Sequence, residues 1–465
     1  MKKHLQKAAA ILLSVSMIIG MIGCQAKQDS GAKDGNQETQ NTSSDAGDQN
    51  TEGQSPENQS GEVPVNIRVA SVYVEGHSMN KVFEEVLTDF KNDHPNVKIT
   101  EEFMPSEQLN PKLKTDAASN NMPDIFPVWA GMTNLEGIQA GLWMNLEEEL
   151  NNDPAWKDNF GSGTLEQFQY EAAPGYWAVP LCSFGLGFYY NTELFEKANA
   201  EPPKTWDELL QVIDKLKAIG VTPWEIGGKD TWRCEHLFSN LYYKMYGIDQ
   251  ASKVTDGSLK YDDESFLRVF EKMLELVDAD AFDPNMIGID YAQEVANFAN
   301  GNSGMQFNGA WAIGETDGPD APDTIKGKVG FFPFPNMEGA EEFDGQWFGG
   351  VSDAFAVRAD LEGQKKELVI ELLKKITAPE TAKKIGEESG NIPSVKTKLD
   401  PEKTGTLMPI VQEAIAGADQ FAGDFTGFET NSAVIRKIEN FSQAVLGKLI
   451  TPEDACRQLA EEAAR

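Results

Sequence analysis

Tryptophans set beside polar loops are the residues of this chain best suited to chemistry. Trp232 follows Gly227-Gly228-Lys229-Asp230-Thr231, a polar loop ahead of the helical pattern at Glu235–Met245. An indole without apolar neighbours is poorly explained by core packing, and Asp230 beside it offers a planar acceptor. Trp129 follows the short apolar run Asp124–Val128 and precedes Gly131. It should therefore sit at the C-terminal end of a strand, where open α/β sheets bind ligands. Trp347 stands in G-Q-W-F-G-G, ahead of the strand pattern at Ala354–Val357, and Tyr73 and Glu75 leave the first strand. An aromatic ring supplies a rigid apolar face with few rotors to freeze. Carboxylates supply hydrogen-bond acceptors. This is the equipment of reversible recognition.

Signatures of bond-breaking chemistry are missing from the sequence. There is no G-x-S-x-G, no H-E-x-x-H and no phosphate-binding G-x-x-x-x-G-K-[ST]. His77, His94 and His236 are isolated from one another. Carboxylate runs such as Glu147-Glu148-Glu149 and Asp262-Asp263-Glu264 lie at turns and helix starts, where solvated charge is the ordinary explanation. Tyr189-Tyr190 and Tyr242-Tyr243 are pairs of the kind that can hold ferric iron. The first falls in a strand pattern and the second on a helix beside Lys244, so no metal and no cofactor are expected. A hydrolase acting on glycosides needs two carboxyls about 5–10 Å apart, an arrangement that sequence alone leaves open.

The elements that must hold these side chains follow from periodicity. Val65–Val74 has the β-branched content of a strand, and Asn80–Asn92 carries Val82, Phe83, Val86, Leu87 and Phe90 on one helical stripe. Val97–Phe103 alternates as a second strand, Leu109–Ser119 reads as a second helix, and a short buried strand follows at Pro123–Phe126. This β-α-β-α-β order predicts a parallel sheet with helices on its faces. The same grammar restarts at Phe188–Tyr190, with helices expected at Trp206–Ile219, Ser265–Val277, Ala292–Ala299 and Leu368–Ile376.

Composition narrows the classes. From residue 62 onward about 400 residues remain, more than one ordinary core accommodates, and all nine tryptophans lie there. The formal net charge is −34, and removal of Lys2, Lys3 and Lys7 takes it to −37. Nucleic-acid binding depends on a basic footprint and is excluded on this balance. Beyond Cys24 there are Cys182, Cys234 and Cys456, three thiols that cannot all pair and that match no zinc spacing.

The N-terminal residues carry an address. Lys2, Lys3 and Lys7 precede the apolar run Ala8–Ile19, which is too short and too broken to span a bilayer. Met17–Cys24, M-I-I-G-M-I-G-C, resembles a bacterial lipobox, with Met21 where Leu is commonest. The resemblance implies a signal peptide at 1–23 and a lipid on Cys24. Residues 25–61 are almost wholly polar, a composition that predicts a disordered tether with a span of roughly 35 Å.

Further along, several motifs occur in order: G-Y-W-A-V-P at Gly175–Pro180, G-F-Y-Y-N-T-E-L-F at Gly187–Phe195, P-P-K-T-W-D-E-L at Pro202–Leu209 and L-K-A-I-G-V-T-P at Leu216–Pro223. They continue as F-A-N-G-N-S-G-M-Q-F-N-G-A-W at Phe298–Trp311 and G-N-I-P at Gly390–Pro393, with G-L-W-M-N-L-E-E-E-L earlier at Gly141–Leu150. In these the chain resembles the extracellular solute-binding proteins of sugar ABC transporters, the maltose-binding-protein-like family. The resemblance implies an α/β, two-lobe periplasmic-binding-protein-like fold of type II, with residues 62–183 plus 336–390 in one lobe and 184–335 plus 391–465 in the other. Crossings are expected near Ser183, Pro333–Pro335 and Ser389–Pro393. Trp311 takes the position of the family's stacking tryptophan, and Phe184 lies at the first crossing, where a ligand contact is common. Trp143, Trp177, Trp206 and Trp224 fall on structural positions. The implied role is capture of a carbohydrate and its delivery to membrane permease subunits by a lipid-anchored monomer on the extracellular face. A surface-anchored glycoside hydrolase, or a binder of a non-sugar solute, is the alternative.

Overall fold

The computed structural model describes residues 64–318 and 321–465. The proposed signal peptide, Cys24 and the tether lie outside them. Among the described residues no helix is long and apolar enough to cross a membrane.

Among the described residues eleven strands form two sheets. They are β1 (Val65–Ser71), β2 (Val97–Phe103), β3 (Ile125–Val128), β4 (Val179–Gly185), β5 (Gly187–Asn191), β6 (Thr222–Glu225), β7 (Ser303–Asn308), β8 (Val329–Pro333), β9 (Gln346–Val357), β10 (Ile392–Pro393) and β11 (Gln420–Ala422). The first sheet has the order β10-β4-β9-β3-β1-β2, with β11 on the far end of β9. The second has the order β6-β7-β5-β8. Strands β1, β2 and β3 run parallel, as the alternating pattern predicts, but β9 enters antiparallel to both β3 and β4 and makes the sheet mixed.

Local sequence explains the first lobe. The helix Asn80–Asp93 buries Val82, Phe83, Val86, Leu87 and Phe90, the stripe expected from a period of 3.6. These side chains join Ile67 and Val69 of β1 and Phe355 and Val357 of β9 in one core, while Phe126, Trp143 and Phe168 fill a second on the other face of the sheet. The second lobe has a single larger core, in which Trp224 packs edge-on to Phe188, with ring centroids 4.6 Å apart. Full burial of each such side chain contributes about 1.5–3 kcal/mol. Trp206 and Trp224 belong to this core and Trp143 to the first lobe's. Cys182, Cys234 and Cys456 are all free and buried.

The chain passes between the cores beside β4. It leaves the first lobe at Ser183, between Cys182 of the first lobe's core and Phe184 of the second's, and Leu186 N then donates to Phe348 O at 2.9 Å. The second passage differs from the expectation of Pro333–Pro335. Phe334, Met337, Ala340 and Phe348 all pack in the second lobe's core, and Val351 is the first residue of β9 to enter the first lobe's. Two paired strands therefore meet at Gly185 and Gly349, followed by Gly350 at φ +136°. Prolines end β8 without moving the chain across, whereas glycines let two backbones approach and bend. In the third segment, β10 pairs with β4, and Ser394 N donates to Leu181 O at 2.9 Å, so Val395 still belongs to the first lobe.

The lobes also touch away from these strands. Met132 N, just after β3, donates to Gly427 O at 2.7 Å, and a Cβ on Gly131 would lie 3.1 Å from Gly427 Cα. Across the molecule, Gly314 sits so close to Ser389 that a Cβ there would collide with the Ser389 carbonyl oxygen.

Candidate ligand-binding cleft

The cleft begins where strands of the second lobe end. β6 stops at Glu225, and the chain runs through Gly227-Gly228 into the helix Thr231–Tyr246. Trp232 thus lies in the first turn of that helix, which starts four residues earlier than periodicity predicts. The loop is held from below by Glu294, on the helix Tyr291–Ala299. Its carboxylate accepts from Gly227 N at 2.6 Å and from Arg233 Nε at 2.9 Å and Nη2 at 2.6 Å. Arg233 and Glu294 are 2% and 0% exposed, so each buried charge is matched by the other. Arg233 also donates to Phe307 O and lies 5.0 Å from the Trp232 ring, a cation–π contact that steadies the indole.

β7 ends at Asn308, and Gly309-Ala310 lead to Trp311 at the N-terminal end of the short helix Ala312–Asp317. A side chain on Gly309 would collide with the Trp311 ring, so glycine is required for this rotamer. Trp311 and Trp232 lie 6.5 Å apart at an interplanar angle of 61°. His236, one turn beyond Trp232, stands 4.9 Å from Trp232, 6.3 Å from Trp311 and 4.8 Å from Phe348. Phe184 of β4 closes the group, 5.3 Å from Trp311 and 5.8 Å from Phe348. An aromatic cluster therefore sits where β4 and β9 pass between the lobes; Trp232 and Trp311 are half-buried, whereas Phe184 and Phe348 are 8% and 0% exposed and back them.

Of the residues singled out from sequence, Phe184, Asp230, Trp232 and Trp311 come together here. Asp230 has a structural task as well, because its Oδ2 accepts from Tyr291 N at 2.8 Å. Burial, opposed by that bond, raises its pKa. Trp129 is half-buried at the end of β3, outside the three cores, and its carbonyl accepts from Asn134 Nδ2 at 2.7 Å. Glu75 is exposed on the turn at Gly76. Tyr73 does not line the cleft surface: it is 1% exposed, with its ring 5.2 Å from Phe83 and 6.4 Å from Phe355. The helix after β1 folds back over it. Trp347 lies inside β9 rather than ahead of it, 6% exposed and packed against Gly185. Tyr242 and Tyr243 are wholly buried, with their hydroxyls on Ser265 and Gly423 O. Tyr189 and Tyr243 are core residues.

Several polar groups of the cleft escaped the sequence reading. Tyr291 Oη donates to Glu315 at 2.9 and 2.8 Å, and Asn308 Nδ2 donates to Tyr291 Oη at 3.2 Å. Burial pushes the Glu315 carboxyl up to about 8. Glu235, Asp424 and His236 bring ligand-capable atoms within 4.8 Å of one another. Glu235 is 2% exposed, and burial followed by the nearby Asp424 carboxylate raises its pKa strongly. His236 Nε2 lies 3.3 Å from Asp424 Oδ1, and Nδ1 lies 3.5 Å from Arg233 Nη1. A guanidinium only donates, so Nδ1 accepts and Nε2 carries the proton toward Asp424. The i to i+4 spacing of Trp232 and His236 would have exposed His236 had the helix start been placed at Thr231. Asp424 arrives from almost two hundred residues away with no local signal.

Comparison with other proteins agrees with this architecture. The family model for bacterial extracellular solute-binding proteins matches residues 74–383. The multiple sugar-binding protein of Streptococcus mutans is 23% identical over 349 residues, which is 72% of this chain and 77% of that protein. An uncharacterised ABC transporter extracellular-binding protein of Pyrococcus horikoshii is 28% identical over 261 residues, 55% of this chain and 58% of its own length, so the chain spans little more than half of that relative. Among solved structures, a chitin oligosaccharide binding protein superposes with a TM-score of 0.79 at 26% identity, covering 86% of this chain and 98% of the other. A maltose-bound T. maritima MalE3 shares the fold with a TM-score of 0.70 at 21% identity, covering 86% of this chain and 99% of the other. With two α/β lobes, an aromatic cleft between them and a family match over most of the folded part, the chain belongs to the bacterial extracellular solute-binding proteins.

Proposed function

We propose that this protein is the substrate-capturing component of an ABC importer for carbohydrates, and that it closes on a mono- or oligosaccharide and delivers it to membrane permease subunits. The observation that carries this reading is the convergence of Phe184, Trp232 and Trp311, with Asp230 at the start of the helix that carries Trp232 and with Asp424 paired to His236 between the two indoles. Flat rings suit the C–H face of a pyranose, and carboxylates suit its hydroxyls. The names of the relatives point the same way, since one is a multiple sugar-binding protein and another a chitin oligosaccharide binding protein. Trp129 at the end of β3 and Glu75 on the turn at Gly76 offer contacts from the first lobe, Tyr73 and Trp347 are buried, and the stacking role belongs to Trp232 and Trp311.

On this reading the protein works as a monomer without turnover. Glu235 is 2% exposed and its Oε1 already accepts from Ser239 Oγ at 2.5 Å, and the matched family is one of solute-binding proteins, which supports binding rather than hydrolysis. The lipobox at Met17–Cys24 supports anchoring through Cys24 at the extracellular face. A thermal-shift panel of saccharides with analysis of the recovered sugar tests the proposal. A raised melting temperature with the saccharide recovered intact is expected. Release of shorter sugars would overturn it.

A further inference from the structure

Resting on the reading of the cleft as a saccharide site, we propose that Asp353 on β9 is the first lobe's charged hydrogen-bonding residue for the saccharide, and that it acts beside the Trp129 ring at the end of β3. The first observation is its place in the sheet. β3 and β9 run antiparallel with Val128 opposite Ala354, and the next step of that register sets Trp129 opposite Asp353. Both stand at the C-terminal end of β3, the edge where open α/β sheets bind ligands. Asp353 also lies three residues past Gly350, whose partner Phe184 is 5.3 Å from Trp311. Its pairing with Cys182 falls between two register shifts of the β4–β9 ladder, and such irregularities re-aim side chains beside functional sites. Trp129 and Asp353 are both half-buried, and Trp129 belongs to none of the three cores.

The second observation is the state of the carboxylate. Its Oδ2 accepts from Ser352 Oγ at 2.9 Å, and among the described residues no Lys, Arg or His forms an ion pair with Asp353. Behind it the Tyr73 hydroxyl is wholly buried with no well-formed hydrogen bond of its own. Burial, followed by the Asp353 charge, raises the Tyr73 phenol well above its usual range, and the same two causes raise the Cys182 thiol. His77, on the loop after β1, lies 5.0 Å from the Tyr73 ring, and burial pushes it down to about 4. Glu75 on the same loop is an exposed acid. The titratable groups on the elements around Asp353 thus supply no positive charge at neutral pH. Burial, opposed by Ser352 and Tyr73, holds the Asp353 carboxyl up at about 6, so it is ionised above that value. A carboxylate has about four lone-pair sites, and Ser352 and Tyr73 fill at most two of them. A half-buried anion with acceptor sites to spare and no counter-ion suits hydroxyl donors, and an indole one register step away supplies a face for the ring that carries them.

The test is calorimetry of the purified protein, Asp353→Asn and Trp129→Ala at about pH 7.5 and about pH 5, on either side of the carboxyl's value. The probe is whichever of maltose, raffinose, cellobiose and N,N′-diacetylchitobiose binds the wild-type protein. At the higher pH Asp353→Asn is expected to bind about tenfold more weakly than wild type, the loss of a hydrogen bond to a charged group. At the lower pH the wild-type carboxyl is itself protonated, and the two should agree within about twofold. Trp129→Ala is expected to lose about tenfold at both, with a ligand-free melting temperature near that of wild type. Undiminished binding in Asp353→Asn, or an equal loss at both pH values, would overturn the assignment, and undiminished binding in Trp129→Ala would remove the indole from it. If Asp353→Asn does not fold, the wild-type affinity decides: it should fall as pH drops from about 6.5 to about 5, and constant affinity over that range overturns the assignment. Normal binding in both variants while Trp232→Ala and Trp311→Ala bind weakly would leave the saccharide reading intact. Failure of all four probes on the wild-type protein would remove both.

Discussion

Arg233 grips Glu294 with two hydrogen bonds of 2.6 and 2.9 Å, and both side chains are sealed from solvent. Glu294 also accepts from Gly227 N, so this one pair fixes the loop before Trp232 and the helix turn that carries it. The cleft is therefore rigid at its base, and its aromatic surface is set before a ligand arrives, which limits the ordering cost of binding.

Breaking that pair should be severe. Glu294→Gln leaves Arg233 buried without its counter-charge, and loss of one partner of a buried pair costs about 3–5 kcal/mol. Denaturant unfolding of the ligand-free variant should show a loss of that order. A loss under about 1 kcal/mol, the value of an exposed pair, would show that the site is wetter than the structure indicates.

Closure depends on small residues where the lobes meet. A Cβ at Gly314 would strike the Ser389 carbonyl and approach Ser78 Cβ to 2.9 Å. Gly314→Val should hold the lobes apart and weaken ligand binding by about tenfold or more, equivalent to ~1.4 kcal/mol. Small-angle scattering of the variant at saturating ligand should retain the ligand-free radius of gyration, where the wild-type protein is expected to contract by hinge bending. A normal contraction in the variant would mean that this contact does not gate closure.

Stability should fall as pH rises between about 6.5 and 8. Burial pushes Glu315 up to about 8 and Glu225 and Glu439 up to about 7, from an ordinary 4.5. Each binds its proton more tightly when folded, so its stabilising contribution is whole below 4.5 and is lost as pH climbs through the folded value. His77, pushed down to about 4 by burial, acts in the opposite sense below its ordinary 6.5. Lys244, pushed down to about 8, does so above 8. Melting temperature measured across the intervening window should decline, and less steeply in Glu315→Gln. An identical slope in that variant would remove Glu315 as a contributor.

The alternation of strands and helices in the first lobe was legible because each element carries its own period. Val82 to Phe90 announce a buried helical face, and β2 alternates over its first half, with Val97 and Ile99 buried. β9 was legible only at Ala354–Val357. Its first half contains Gly349 and Gly350, poor strand formers, and is held by pairing with β4 and β11 instead of by propensity. Trp311 and Trp232 could be found because each is an indole flanked by glycine or polar residues. Tyr73 looked similar, but its burial is decided by Phe83 and Phe355, which only the folded chain brings to it. The Glu235–His236–Asp424 cluster unites two distant segments, and nothing local to either reveals it.

Lipid anchoring makes a separate prediction. Cys24→Ala should release the protein from membranes into the medium or stall its processing. Fractionation that finds the variant on membranes as firmly as wild type would remove the lipoprotein assignment.

The central claim is that Trp232 and Trp311 form the stacking surface for a saccharide. Calorimetry of Trp232→Ala and Trp311→Ala against a saccharide that binds the wild-type protein tests it most directly, with the ligand-free melting temperature measured in parallel and Trp224→Ala as the core control. Truncating such an anchor should cost about 2 kcal/mol or more of binding, a roughly thirtyfold loss. Both indoles are half-buried, so the ligand-free loss of stability should stay well below the ~3–5 kcal/mol expected for Trp224→Ala, which is 0% exposed. Weak binding with a near-normal melting temperature is the predicted result. Undiminished binding with a collapsed melting temperature would show that the two indoles are core residues and that the ligand binds elsewhere.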